Sequence, residues 1–192
     1  MRLEILGLLG SCAVLLAGCD KQSVPAPQAK PGETSGVKGP EQAGTVDMTH
    51  RGDAMPATVF EDPNGAKVRL ADFRGKPLLV NLWATWCGPC VAEMPTLDTL
   101  AGREAARLQV IVVSQDNARA LVDGWWAKRR FAHLKPYLDP RSDLGFAYDS
   151  GMLPTTILYG ADGKEIWRVI GGMNWDGPRA NTLLAETLGA TG

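Results

Sequence analysis

The stretch NLWATWCGPCVAEMP, residues 81–95, sets two cysteines, with only Gly88 and Pro89 between them, where an apolar run gives way to a helical pattern. The segment it belongs to, PLLVNLWA, is continuously apolar, as expected of a strand buried on both faces in the middle of a sheet. Downstream a helix is predicted from about Cys87 to Ala106. Pro89 falls in its first turn, where a missing N–H costs nothing. Pro95 falls inside it, where it removes a hydrogen bond and should kink the helix. A cysteine pair so placed can hold a metal, staple a loop or carry electrons.

The flanking elements narrow the setting. ATVFEDPNGAKVRL reads as two short strands around the turn signal Asp62-Pro63-Asn64-Gly65. LQVIVVSQ is a second buried strand, and NARALVDGWWAKRRF a second helix on which Lys128, Arg129 and Arg130 form a solvated face. A short strand and helix follow between Lys135 and Asp149. LPTTILYGADGKEIWRVIGG is a hairpin about Ala161-Asp162-Gly163-Lys164, and a last helix, about Asp176 to Leu188, stops at Gly189. Strand, helix, strand, then hairpin and closing helix is a three-layer α/β/α arrangement.

Composition sets the outer limits. The chain has 192 residues, of which 45% are hydrophobic, enough for one domain with a real core. Lys plus Arg total 20 against 21 Asp plus Glu, a net charge of −1 that gives no footprint for nucleic acid.

The amino terminus reads as a processing signal. An apolar run from Ile5 to Ala17 is too short for a bilayer, which takes about 20 residues, but suits a secretory signal. It ends in Leu16-Ala17-Gly18-Cys19, which resembles a bacterial lipoprotein box and implies lipidation of Cys19. Several acyl chains on one cysteine satisfy the requirement for stable anchoring. Residues 1–18 are then a lipoprotein signal peptide, and residues 19–53, without aromatics and rich in Pro, Gly, Gln, Lys and Glu, a disordered tether. Its reach is about 30 Å, from roughly 5–6 Å times the square root of its length. The folded domain is expected over residues 54–192. Of the four cysteines, Cys12 leaves with the signal and Cys19 is blocked by lipid. Cys87 and Cys90 remain as thiols in an oxidising compartment.

Chemistry favours electron transfer for this pair. A structural zinc site wants four ligands, whereas the chain offers one pair and two histidines, His50 in the tether and His133 after the second helix; no metal site and no cofactor are expected. A disulfide closing so small a loop adds little stability. At a helix N-terminus, unpaired N–H groups and the helix dipole stabilise a thiolate, and in Cys-X-X-Cys motifs the pKa falls from about 8.5 to values such as about 7. Cys87 is the predicted nucleophile. Cys90, one turn on, is the predicted buried resolving thiol. A copper(I)-binding module using the same pair is the alternative.

With its Cys-Gly-Pro-Cys junction the arrangement resembles the thioredoxin fold. VNLWATWCGPCVAEMPTL, the upstream LADFRGKPLLV, MLPTTIL and the inserted strand and helix together resemble the TlpA/ResA family of membrane-tethered bacterial thioredoxin-like proteins. The resemblance implies a thioredoxin fold with an N-terminal β-hairpin and a central strand-helix insertion. It implies a thiol:disulfide oxidoreductase that reduces extracytoplasmic client disulfides, in cytochrome c maturation or copper-site assembly, with electrons from a membrane thiol protein. The place would be the periplasmic side of the envelope; Asp20, beside Cys19, resembles an inner-membrane retention signal. Trp86 then flanks the nucleophile, and Leu153, Pro154 and Thr155 face the client, Pro154 in the cis form. Asn81 stands where thioredoxins keep a buried aspartate and cannot titrate. Glu93, one turn past Cys90, matches the family's glutamate and is expected to supply the missing acid–base function.

Overall fold

The computed structural model describes residues 43–189. Eight strands form one mixed sheet in the order β1-β8-β7-β4-β5-β6-β2-β3: Ala43–Asp47, Val59–Glu61, Lys67–Arg69, Leu78–Trp83, Gln109–Ser114, Pro136–Leu138, Thr155–Tyr159 and Glu165–Met173 in chain order. Every residue of β4 is buried, as its unbroken apolar run requires. It pairs parallel with β5 on one side and antiparallel with β7 on the other, so that Asn81 lies opposite both Val112 and Thr156. Helix α1 (Gly88–Arg103) makes the crossover from β4 to β5, and α2 (Arg119–Trp126) that from β5 to β6. The inserted helix α3 (Asp143–Tyr148) follows β6, and α4 (Pro178–Leu188) closes the chain.

Side-chain alternation along β4 separates two cores. Leu79 and Trp83 pack with Met94, Leu97 and Leu100 of α1 and Leu184 of α4. Leu78, Val80 and Leu82 face the other way, onto Phe60, Leu70, Leu144 and Tyr148. These are the outer layers of a thioredoxin-like fold. β2 and β3 pair across the turn at Asp62–Gly65, where Asp62 Oδ1 accepts from the N–H groups of Asn64 and Ala66 at 2.8 Å each. In the β7–β8 turn, Gly163 has φ of 79°, a conformation that glycine adopts without strain.

Helix α3 is braced at both ends. Ser142 precedes it in a left-handed conformation and caps nothing with its side chain. Asp139 does so instead, accepting from the N–H groups of Asp143 (3.1 Å) and Leu144 (2.8 Å). At the far end buried Arg168 donates to the Tyr148 carbonyl at 2.8 Å while its guanidinium grips Glu165 through two hydrogen bonds, 2.7 and 2.8 Å. The Tyr159 hydroxyl donates to that of Tyr148 at 2.8 Å.

Two expectations need correction. The tether predicted over residues 19–53 overlaps β1, which pairs antiparallel with β8. A Cβ on Gly44 would come within 2.6 Å of the Gly171 carbonyl oxygen, so this edge closes because glycine stands there. The second helix ends at Trp126, before Lys128-Arg129-Arg130, which therefore form no helix face. Trp125, Trp126 and Phe131 pack on one another, and Arg129 lies 3.5 Å above the Trp125 ring. Pro95 lies inside helix α1, as expected. The signal peptide, Cys12, Cys19 and Asp20 lie outside the described residues.

Candidate active site

The chain leaves the end of β4 in a tight turn, Cys87 N–H donating to the Ala84 carbonyl at 3.1 Å, and enters α1 directly. Buried Asp116 holds this turn: its carboxylate accepts from the Thr85 N–H (2.9 Å) and the Thr85 hydroxyl (2.7 Å). Cys87 is the N-cap of α1, and the Cys90 N–H donates to its sulfur at 3.3 Å. Cys87 and Cys90 are joined as a disulfide. Cys87 keeps 6% of its surface exposed and Cys90 none, so an external reactant meets Cys87 first. A thiolate on Cys87 would sit against the positive end of the helix.

Behind the pair, Glu93 faces the sheet rather than solvent. Asn81 Nδ2 donates to Glu93 Oε1 at 2.7 Å and to Thr156 Oγ1 at 2.9 Å, the latter its neighbour across β4 and β7. The Met173 N–H (2.9 Å) and Trp175 Nε1–H (3.1 Å) donate to Glu93 Oε2. Burial nevertheless pushes the carboxyl up to about 7, because it penalises the charged form more than these three donors favour it. A buried acid near neutrality, three residues from a sealed cysteine, can both take and give a proton at working pH. Asn81 Oδ1 has no donor among the described residues.

In front of the pair lies a groove of about 710 Å³. Trp86 lines it, 71% exposed, beside Cys87 and half-buried Leu153. The Leu153–Pro154 peptide is cis, and Pro154 is buried. Thr155, expected to face the client, is fully buried, and its hydroxyl donates to the Met152 carbonyl at 2.7 Å. That hydrogen bond shapes the loop before β7. Sequence reasoning missed Asp116, Gln115, Trp175 and the groove residues Phe146 and Met152. Only the aromatic and methionine character of Phe146 and Met152, in and just after the inserted helix, could have signalled them.

A cysteine disulfide at a strand-to-helix junction, beside a groove that Leu153 of the cis Leu153–Pro154 peptide lines, and backed by a buried carboxyl, defines a thioredoxin-like thiol:disulfide oxidoreductase. The chain belongs to the Redoxin family, whose sequence model matches residues 50–184. It is similar to thiol-disulfide oxidoreductase ResA of Bacillus subtilis (strain 168), with 31% identity over 132 residues, 68% of this chain and 73% of that protein. Among solved structures it is similar to a Chlorobium tepidum protein described as a thiol:disulfide interchange protein DsbE (TM-score 0.66, 25% identity, 72% of this chain and 98% of that one). It is also similar to the pneumococcal exposed lipoprotein thioredoxin Etrx1 of Streptococcus pneumoniae strain TIGR4 (TM-score 0.59, 25% identity, 67% and 98%).

Proposed function

We propose that the chain is a membrane-anchored, extracytoplasmic reductase of client disulfides, serving cytochrome c maturation or copper-site assembly. The observation that carries the direction of attack is the asymmetry of the pair: Cys87 opens to the groove and Cys90 is sealed. In the dithiol form, the Cys87 thiolate attacks a client disulfide, forms a mixed disulfide and releases one client thiol. Cys90 gives its proton to Glu93 and attacks the Cys87 sulfur, which expels the second client thiol and leaves Cys87–Cys90 oxidised. Two electrons pass to the client, and a membrane thiol protein must return two. Anchoring through acylated Cys19, on the periplasmic side of the inner membrane, is supported by the Leu-Ala-Gly-Cys motif and by similarity to a pneumococcal protein described as an exposed lipoprotein. Among the described residues no helix is long and apolar enough to cross a membrane. The copper(I) reading would rest on the two sulfurs alone, since no third His, Cys, Asp or Glu gathers with them among the described residues.

Trapping tests the mechanism. Cys90→Ser should accumulate a covalent complex with its client, because no internal thiol remains to break the mixed disulfide. Cys87→Ser should trap far less, because buried Cys90 reaches external disulfides poorly. Equal trapping by both would overturn the assignment of roles. Cys19→Ser should release the protein from membranes, and fractionation that left it membrane-bound would refute the anchor.

A further inference from the structure

We propose that Asp116 is a positioning residue for Cys87: acting through Thr85, its buried carboxylate holds the turn that presents the cysteine and, as a fixed negative charge, disfavours the Cys87 thiolate and keeps the pair a reductant. This deepens the reductase reading and rests on it, since Cys87 is taken as the sulfur that attacks.

Asp116 stands two residues past the end of β5 and is 2% exposed. Both carboxylate oxygens accept hydrogen bonds. Oδ1 takes one from the Thr85 hydroxyl (2.7 Å), and Oδ2 takes one each from the Thr85 N–H (2.9 Å) and the Ser114 hydroxyl (2.7 Å). Among the described residues no Lys, Arg or His pairs with it. Arg119, the nearest cation along the chain, donates to the Pro136 and Asp62 carbonyls at 2.8 Å each and faces Glu61. Three donors hold the turn, yet holding it requires no charge. An asparagine has an oxygen for the Thr85 N–H and an amide for either hydroxyl. A buried charge without a cation is unfavourable for folding, so stability does not account for the acid.

Its effect falls on the sulfur two residues beyond Thr85. A thiolate on Cys87 gains from the N-terminus of α1, and a carboxylate nearby opposes it. Thr85 also spends its N–H on Asp116, which leaves that N–H unavailable to the sulfur. The other ionisable groups around the pair are acids as well: Glu93 on α1, Asp149 on the groove lining, and Asp139, whose carboxylate accepts from the N–H groups of Asp143 and Leu144. Among the described residues only Asp116 is hydrogen-bonded to the Thr85 N–H and hydroxyl. Stabilising the thiolate makes a dithiol–disulfide pair an oxidant, so withholding that stabilisation makes it a reductant.

The test uses the full chain. Reduced protein is alkylated with iodoacetamide across pH, Cys87 being followed by mass spectrometry, and is separately equilibrated with glutathione. In that exchange Cys87–Cys90 forms, the glutathione disulfide breaks, and two electrons with two protons pass to glutathione. Asp116→Asn should lower the inflection of Cys87 alkylation by about one pH unit. At about pH 8 it should move the equilibrium about fivefold towards the dithiol. Thr85→Val removes one contact to the turn and leaves the charge, so its inflection should stay within about 0.3 of wild type. An unchanged or raised inflection in Asp116→Asn, or equal shifts in both variants, would overturn the role of the charge and leave the reductase reading standing. A measurement on wild type covers the case in which Asp116→Asn does not fold. The carboxyl carbon resonance of Asp116 should follow the Cys87 titration in the reduced protein and show no matching step in the disulfide; its failure to do so would equally overturn the proposal. Wild type that reduces neither glutathione disulfide nor insulin would remove both readings.

Discussion

Replacing Glu93 by glutamine isolates the consequence of burying a carboxylate against the sheet. Its carboxyl is displaced from an ordinary 4.5 to about 7. That displacement corresponds to about 3 kcal/mol between charged and neutral forms, with no discount for solvent because the side chain is sealed. The unfolded chain releases this proton near 4.5 and the folded protein near 7, so the native state holds the extra proton in between. Stability from this group is therefore full below about pH 4.5, declines as pH rises towards 7, and levels above. Glutamine mimics the neutral acid: its carbonyl can accept from Met173 and Trp175, and Asn81, whose Oδ1 lacks a donor, can turn its amide to accept from the new NH2. Urea unfolding of the oxidised protein reads the effect without interference, since Cys87 and Cys90 do not titrate as a disulfide. Between about pH 5 and about pH 8, wild type should lose about 2–3 kcal/mol relative to Glu93→Gln. Curves that stay parallel within about 0.5 kcal/mol would refute the reasoning.

Trp175→Phe removes one of the donors that favour the charged form of Glu93, so the inflection of the stability–pH curve should move above about 7; an inflection that stayed put or fell would show that the indole N–H does not act on the carboxyl. Arg168→Ala leaves Glu165 buried without its partner and the Tyr148 carbonyl without its donor. The expected loss at neutral pH is about 3–5 kcal/mol by urea unfolding, and a loss below about 1 kcal/mol would mean that the pair is solvated.

What the sequence made legible was local. The apolar run of β4, the Cys-Gly-Pro-Cys junction and the two Asp/Gly turns each carry their signal within a few residues, and each stands where it was expected. What stayed hidden depends on partners far along the chain. β1 is a strand because β8 lies beside it and Gly44 lets the two backbones close, and neither is visible in residues 43–47. The depth of Glu93 is set by Met173 and Trp175, which arrive from the end of β8 and just past it. Asp139 replaces Ser142 as the cap of α3 because Ser142 is left-handed, and residue type alone would have chosen the serine.

The direction of β1 has a consequence for where the enzyme can work. Ala43 lies opposite Met173 at the end of β8, and β8 runs the same way as β4, so the chain enters the sheet at the end from which β4 delivers Cys87. Whatever precedes Ala43 therefore joins the described domain at its redox end, the end that carries the groove beside Cys87. Under the proposed anchoring at Cys19, lengthening the segment before Ala43 should widen the zone in which Cys87 meets its clients without changing the chemistry.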